Sequence, residues 1–311
     1  MKIEGVIPVM LTAFDESGYV DLLSQRRLID WYLSHGSQAL FTVCQSSEML
    51  HLSLEERIQL AKLTVQSVER RIPVISSGHI GETIDDQIIE LTAMASTGID
   101  CLVLVTNRLD PENLGSEEMF RVVEILKREL PVDLKLGLYE CPAPYRRLLS
   151  DREIRYFAAD PQFVILKDVS CDLDTVKRRL SLTRESNLVI SNANAAIAFD
   201  AIKSGASGFC GVFNNFHPDL YRWLQDQGRF FPELAEELAR FLVLSATTET
   251  MGYPKLAKAY HQRIGTIDST FCRAIPDDIF EKYWALEPIL KKIEEGTAYY
   301  RQRIQQLDDA Q

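Results

Sequence analysis

The sequence predicts a (β/α)8 TIM barrel followed by a C-terminal helical extension. Between residue 5 and about residue 225, eight short apolar runs alternate with amphipathic stretches, and the strand signal ends after residue 214. This alternation is typical of a parallel sheet, and 311 residues suit one closed barrel with a modest extension. A doubly wound open sheet is the rival fold, but its GxGxxG signature does not follow the first strand.

The eight apolar runs are predicted as strands because they are short and rich in β-branched and other large apolar residues. Two of the helices between them begin with capping boxes, formed by Ser53 with Glu56 and by Ser150 with Glu153. In chain order the predicted strands are 6–11 (VIPVML), 39–43 (ALFTV), 73–77 (PVISS), 101–105 (CLVLV), 134–139 (LKLGLY), 163–167 (FVILK), 188–191 (LVIS) and 208–212 (GFCGV).

Beyond the last strand the pattern is helical. The first of four predicted helices completes the barrel, and the other three form the extension. We therefore expect a barrel over residues 1–228 that carries the active site and a C-terminal helical domain over 229–311. No long polar linker separates them, which predicts a tight junction. The four helices are predicted at 216–227, 232–247, 253–264 and 277–306.

The composition excludes several classes of partner. The formal net charge is −11 and no run of Lys or Arg occurs, so nucleic acid and anionic membranes are poor partners. No apolar stretch is long enough to span a bilayer. The N-terminus, interrupted by Glu4 and Pro8, resembles a first strand rather than a signal peptide. Six scattered cysteines without a CxxC pair indicate free thiols in a reducing cytoplasm.

The sixth strand ends on Lys167, a side chain that resists burial. The simpler interpretation is a stem that covers apolar surface while its ammonium reaches water. The alternative is an amine held in a pocket, where partial desolvation makes it a nucleophile. The carboxyl ends of barrel strands are where catalytic groups collect, which favours the second interpretation.

The fifth strand places Gly137 and Tyr139 on one face, opposite leucines that suit the layer against the helices. Tyr139 and Lys167 are then expected at the same height on neighbouring strands. Such a pair suits Schiff-base chemistry, in which the amine attacks a ketone and the phenol moves protons to and from the substrate oxygen. A barrel-mouth aromatic with a satisfied hydroxyl is the simpler explanation of Tyr139 alone.

The loop after the second strand, CQSSEM (44–49), is short and polar. Ser46 and Ser47, with the backbone N–H groups around them, could form an anion site for a carboxylate. Hydroxyls in such a turn also commonly satisfy local backbone groups. No metal is expected, because the five histidines are dispersed and only His79 and His217 fall near strand ends.

Several segments together resemble the dihydrodipicolinate synthase / N-acetylneuraminate lyase family of class I aldolases. The resemblance covers nearly the whole chain, and the order and spacing of the motifs make the set specific. The segments are GVIPVMLTAFDESGYVD (5–21), CQSSEMLHLSLEER (44–57), SGHIGET (77–83), LYECP (138–142), LKDVSCD (166–172), GASGFCGVFNN (205–215) and YPKLAKAYHQRIG (253–265).

The resemblance implies that Lys167 forms a covalent imine with the substrate and that Tyr139 is the proton-handling phenol. No cofactor is then needed. The resemblance also implies that the backbone amides of Gln45 and Ser46, with the Ser46 hydroxyl, hold the carboxylate of pyruvate or another 2-oxo acid. The second substrate or product is then expected to be an aldehyde.

Two further residues and the assembly follow from the same resemblance. Glu48 matches the glutamate of the family's loop and is expected to order it. The peptide oxygen near Cys210 matches the contact that the eighth strand makes beside the pyruvyl group. Family members are commonly tetramers built from tight dimers, so a homo-oligomer, a dimer or a tetramer, is expected.

The loop departs from the family's pattern. The family's GTTG is CQSS in this chain (44–47), so Gln45 stands where the family places a hydroxyl that relays protons to the tyrosine. The second glycine is replaced by Ser47, which costs strain if the position needs a positive φ. The proton relay is therefore not expected to use the family's usual groups.

The substrate-specific positions depart as well. VTNRL (105–109) replaces the aromatic pair that synthase dimers exchange, and Pro144 stands where the synthases keep an arginine for aspartate semialdehyde. Asn194 and Ala195 replace the acidic pair of sialic acid lyases. Neither specific substrate is supported, and lysine biosynthesis is disfavoured.

The sequence thus predicts a Schiff-base-forming lyase or aldolase that acts on pyruvate or a related 2-oxo acid. The alternatives are a Schiff-base dehydratase of a deoxy sugar acid, a dihydrodipicolinate synthase-like activity, and a catalytically reduced barrel that binds a 2-oxo acid. A metal-dependent aldolase is disfavoured by the dispersed histidines.

Overall fold

The computed structural model describes residues 2–309 and contains one eight-stranded parallel sheet. The strand order is β1-β8-β7-β6-β5-β4-β3-β2, so β1 and β2 are the two ends of the ladder. The strands are β1 (Gly5–Val6), β2 (Leu40–Thr42), β3 (Val74–Ser76), β4 (Cys101–Val105), β5 (Lys135–Tyr139), β6 (Phe163–Asp168), β7 (Val189–Asn192) and β8 (Gly208–Phe209).

The sheet closes just beyond β1, where Val9 pairs in parallel with Phe41 of β2. The Met10 N–H donates to the Phe41 carbonyl at 2.9 Å, and the Phe41 N–H donates to the Pro8 carbonyl at 3.0 Å. These bonds join the two ends of the ladder. The prediction of a (β/α)8 barrel is therefore confirmed.

The first and last strands are shorter than predicted. Pro8 has no N–H, so the ladder of the predicted 6–11 strand is interrupted after Val6. On β8, a Cβ at Gly208 would collide with the Gly5 carbonyl oxygen. Only glycine permits this close approach of β1 and β8, which completes the cylinder.

Helices follow the strands and cover the barrel. The capping boxes predicted at Ser53 with Glu56 and at Ser150 with Glu153 are both present. The helices are α1 (Leu22–Ser34), α2 (Leu54–Val68), α3 (Ile84–Ala95), α4 (Thr106–Leu109), α5 (Ser116–Glu129), α6 (Asp151–Ala159), α7 (Leu173–Thr183), α8 (Ala198–Lys203), α9 (Pro218–Gln227), α10 (Pro232–Ala246), α11 (Lys255–Arg263), α12 (Ile279–Lys282) and α13 (Leu286–Asp308).

The last predicted helix, 277–306, is two helices in the structure. α12 ends at Lys282 and α13 begins at Leu286. Pro288 explains the break, because its ring would clash with the Trp284 carbonyl if the helix were continuous. Pro288 is tolerated in the first turn of α13, because the N–H groups of a first turn have no acceptor within the helix.

The extension is fixed to the barrel by buried polar contacts. His217 Nε2 lies 2.7 Å from the Thr297 hydroxyl of α13, and His261 Nε2 of α11 lies 2.8 Å from the Asn215 carbonyl oxygen. The domain boundary at residue 228 stays a prediction, and residues 1 and 310–311 of the two predicted domains lie outside the described residues. None of the helices within residues 2–309 is long and apolar enough to cross a membrane.

Three buried histidines make the stability of the fold sensitive to acid. Burial lowers the pKa of His79 to about 4 and that of His217 and His261 to about 3, from an ordinary value of 6.5. Below about pH 6.5 these histidines are therefore protonated in the unfolded chain, whereas in the folded protein they stay neutral at that pH. The free energy of unfolding falls as the pH drops, by about 2 kcal/mol for each histidine at pH 5.

We expect the urea midpoint to decrease steadily between pH 7 and pH 5. In this range most carboxylates are still ionised, so the histidines dominate the change. A midpoint that stays constant between pH 7 and pH 5 would contradict the prediction.

Candidate active site

The structure places Lys167 and Tyr139 side by side inside the barrel. The two residues are direct partners in the parallel pairing of β5 with β6. Lys167 is 6% exposed and Tyr139 is 3% exposed. Lys167 Nζ lies 4.1 Å from the centroid of the Tyr139 ring and 5.6 Å from that of Phe41. The amine is thus enclosed by aromatic faces and does not extend into bulk solvent.

Lys167 and Tyr139 line a cavity of about 370 Å³ at the carboxyl ends of the strands. Gln45, Ser46 and Cys210, the other residues predicted to contact substrate, line the same cavity. The volume falls within the range of small-molecule sites. The structure therefore brings together five of the six predicted site residues around one space.

A buried guanidinium fixes the ends of the two strands that carry this pair. Glu140 follows Tyr139, and Asp168 follows Lys167, so both carboxylates point to the opposite face of the sheet. Arg179 of α7 donates to the two Glu140 carboxylate oxygens at 2.6 and 2.9 Å and also donates to Asp168. One charged group outside the barrel thus sets the relative position of the amine and the phenol inside it.

The Tyr139 hydroxyl faces an amide instead of a second hydroxyl. It donates to Gln45 Oε1 at 3.3 Å, and the Cys141 thiol donates to the same oxygen at 3.4 Å. Burial raises the pKa of the Tyr139 phenol well above its usual value. The phenol therefore keeps its proton at neutral pH, and Gln45 can orient it but, as an amide, cannot relay protons.

The two serines of the loop have different environments. Ser46 lines the cavity, with its side chain beside the Tyr253 phenol. The Ser47 hydroxyl points away, donating to the Met10 carbonyl at 2.6 Å and accepting from the Cys44 N–H at 3.1 Å. Of the two interpretations of Ser47, the structure therefore agrees with the simpler one, in which its hydroxyl satisfies backbone groups.

In the loop 44–49 the residue with a positive φ is Glu48, one position after Ser47, which replaces a glycine of the family's pattern. Glu48 has φ 60° and ψ 35°, in the left-handed region, whereas Ser47 belongs to the preceding 3-10 turn. Ser47 thus avoids the strain that its replacement of a glycine could have caused.

Glu48 does not line the cavity and instead joins the loop to the extension. Its fully buried carboxylate forms an ion pair with Lys258 of α11, 210 residues away along the chain. It also accepts from the Ala274 N–H at 2.8 Å. Burial lowers the pKa of Lys258, and the charge of Glu48 opposes that shift. These contacts support the predicted role of Glu48 in ordering the loop.

Replacement of Lys258 by methionine is expected to lower the free energy of unfolding by about 3–5 kcal/mol, because it leaves the buried carboxylate of Glu48 unpaired. The double variant Lys258→Met/Glu48→Gln removes that charge, and its glutamine can still accept from Ala274. We therefore expect the double variant to lose clearly less stability in urea unfolding. Equal losses in the single and double variants would contradict the assigned cause.

The C-terminal extension forms one wall of the cavity, which the sequence did not predict. Glu249, Thr250, Tyr253 and Pro254, which lie between α10 and α11, face the space that contains Lys167. The Tyr253 hydroxyl accepts from the Asn215 side chain at 2.8 Å, which ties this segment to the barrel. No local pattern marks these residues as functional, since only the packing of the extension brings them to the barrel mouth.

Two histidines near strand ends have structural partners. His79 Nδ1 accepts from the Val105 N–H at 3.1 Å, and its Nε2 lies 2.7 Å from Gln87. His217 is held by Thr297 as described above. Within residues 2–309 no three His, Cys, Asp or Glu side chains are grouped so that they could hold a metal ion.

The segments that replace the family's substrate-specific groups are used for structure. Asn107 of α4 donates to the carbonyls of Cys141 and Ala143 at 2.8 and 2.9 Å and so fastens the loop after β5. Arg147, close to the position of the missing arginine, is buried between Asp110 and Glu153 at 2.9 and 2.6 Å. It therefore does not line the cavity.

Comparison with curated proteins gives synthases of one family. The 4-hydroxy-tetrahydrodipicolinate synthase of Bacillus subtilis (strain 168) is 31% identical over 215 residues, which cover 68% of this chain and 71% of the relative. The enzyme of the same name from Bacillus velezensis is 31% identical over 192 residues, which cover 61% of this chain and 64% of the relative.

Solved structures share the fold at lower identity. Dihydrodipicolinate synthase DapA-2 from Bacillus anthracis has a TM-score of 0.83 and 21% identity, covering 94% of this chain and 99% of that one. YagE, a prophage protein of E. coli K12 solved in complex with pyruvate, has a TM-score of 0.83 and 20% identity with the same coverage. The model of the dihydrodipicolinate synthetase family matches residues 2–277. The chain therefore belongs to the dihydrodipicolinate synthetase family.

Proposed function

We propose that this protein is a class I aldolase that forms an imine between Lys167 and pyruvate or a related 2-oxo acid, and then makes or breaks a carbon–carbon bond with an aldehyde. The observation that carries the proposal is the enclosed amine of Lys167 beside the protonated phenol of Tyr139. The family and the pyruvate bound to YagE support the choice of substrate.

The reaction begins when the unprotonated Lys167 amine attacks the ketone carbon of the 2-oxo acid. The Tyr139 phenol donates a proton to the developing hydroxyl, which leaves as water and gives the iminium ion. The Tyr139 phenolate then takes a proton from the adjacent carbon, which gives an enamine. That carbon attacks the aldehyde, and the phenol returns the proton to the aldehyde oxygen. Hydrolysis of the new imine releases the product and regenerates the amine.

The 2-oxo acid is held at its carboxylate and at its reacting carbonyl. We assign the carboxylate to the backbone amides of Gln45 and Ser46 and to the Ser46 hydroxyl, because both residues line the cavity beside Lys167. The peptide oxygen of Cys210, which lines the same cavity after β8, contacts the substrate beside the pyruvyl group. In this proposal the imine itself withdraws electrons, so no cofactor takes part.

The remaining parts of the proposal concern the cell and the assembly. The six cysteines are free, which supports a location in the reducing cytoplasm. We also propose a homo-oligomer, either a dimer or a tetramer, because members of the family are commonly tetramers built from tight dimers. Size-exclusion chromatography with light scattering tests the assembly.

Borohydride reduction in the presence of pyruvate tests the central step. We expect a stable pyruvyl adduct, located on the Lys167 peptide by mass spectrometry. If neither pyruvate nor any of a panel of other 2-oxo acids is trapped, the proposed enzymatic activity is wrong, and the protein is a barrel that only binds small acids. Release of pyruvate from an aldol adduct distinguishes an aldolase from a dehydratase, whose product retains all its carbon atoms.

A further inference from the structure

We propose that Glu249 selects the second substrate, favouring an uncharged aldehyde that carries a hydroxyl group and rejecting aldehydes that carry a carboxylate. The Glu249 carboxylate would accept a hydrogen bond from the hydroxyl and repel a second negative charge. This inference rests on the proposed imine chemistry at Lys167 and adds the chemical class of its partner.

Glu249 reaches the site from outside the barrel. It belongs to the 3-10 turn Thr247–Met251 between α10 and α11, and its side chain lines the cavity that contains Lys167. Glu249 is an exposed residue at this cavity, and within residues 2–309 its carboxylate forms no ion pair or hydrogen bond with another group. The surrounding protein partly shields the carboxyl from water and so raises its pKa, and the charge of Lys167 opposes that shift. The carboxylate can therefore accept a hydrogen bond from a ligand hydroxyl in place of water.

The charges around the cavity argue against an anionic aldehyde. Of the described residues that line it, Lys167 and Glu249 are the charged ones. Once Lys167 is bonded to a 2-oxo acid, that substrate's own carboxylate balances the iminium charge. An aldehyde with a second carboxylate would then meet Glu249 without a cation to pair with.

Two arginines follow Tyr139 in the loop after β5, and neither lines the cavity. Arg146 is exposed and donates to the Val169 carbonyl at 3.2 Å. Arg147 is buried in its pairs with Asp110 and Glu153.

The experiment compares three aldehydes with pyruvate as the common partner. Glyceraldehyde carries hydroxyls, propionaldehyde carries none, and succinic semialdehyde carries a carboxylate. For the wild-type protein we expect kcat/KM to be highest with glyceraldehyde and lowest with succinic semialdehyde. A hydrogen bond to a charged acceptor corresponds to about a 10- to 100-fold preference over propionaldehyde.

Two substitutions test the assignment to Glu249. Glu249→Gln is expected to reduce the preference for glyceraldehyde over succinic semialdehyde by about tenfold or more, and Glu249→Lys is expected to reverse it. Glu233→Gln, an exposed glutamate at the start of α10, is the matched control and should leave the preference unchanged.

Borohydride trapping of pyruvate is measured for every variant. Absence of trapping in the wild-type protein would overturn the proposed function itself. With trapping intact, three results would overturn only the role of Glu249: an unchanged preference in both variants, a wild-type preference for succinic semialdehyde, or no reaction with any hydroxyaldehyde. Circular dichroism shows whether each variant is folded, and either variant alone is sufficient for the comparison.

Discussion

Replacement of Lys167 by arginine is expected to abolish imine formation and to lower aldol turnover by at least about 10⁴-fold. The guanidinium keeps the positive charge, but it stays protonated and cannot attack a carbonyl. Its size is similar, so the aromatic faces of Tyr139 and Phe41 can still enclose it. The measurement is pyruvate release under saturating substrate, together with borohydride trapping.

Lys135 provides a matched control. It is also a strand lysine, but it lies exposed at the opposite end of the barrel, at the start of β5. Lys135→Arg is therefore expected to retain wild-type turnover and trapping. Turnover of Lys167→Arg within tenfold of wild type would show that the reaction does not pass through this amine.

Replacement of Tyr139 by phenylalanine is expected to lower turnover by about 10²- to 10⁴-fold, the usual contribution of a positioned acid or base. The ring still covers the Lys167 amine, so only the proton donor is lost. Trapping of pyruvate on Lys167 should fall much less than turnover, because water can supply the proton for imine formation, whereas the carbon–carbon step in the enclosed site depends on the phenol. Single-turnover trapping and steady-state kinetics measure the two effects separately.

Tyr156→Phe is the control, since that phenol bonds Glu124 on the outer face of the barrel. It should leave both measurements unchanged. If Tyr139→Phe reduces trapping and turnover equally while remaining folded, the phenol serves substrate binding instead of proton transfer.

The position of the reactive pair could be predicted because it depends on local rules. Strand alternation decides which residues of 134–139 and 163–167 face inward, and parallel pairing aligns the strand ends. The observed partnership of Tyr139 with Lys167 confirms the register that these rules imply. Ser47 follows the local rule that hydroxyls in turns bond to backbone groups, since it donates to the Met10 carbonyl.

The surroundings of the pair could not be predicted in the same way. Arg179 is one of several arginines in a helical pattern, and only the packing of α7 on the sheet shows that it bridges Glu140 and Asp168. Glu249 likewise carries no sequence signal. Its place in the cavity depends on the path of the extension between α10 and α11.

The sequence by itself determined the barrel, the family and the two residues proposed for the chemistry, because periodicity and motif order are encoded over short stretches of chain. Only the tertiary structure decided that the C-terminal extension forms one wall of the site and that the loop at Glu48 is held by Lys258. The physical reason is distance along the chain: contacts between residues about 200 positions apart depend on how whole helices pack, and single segments do not record that packing.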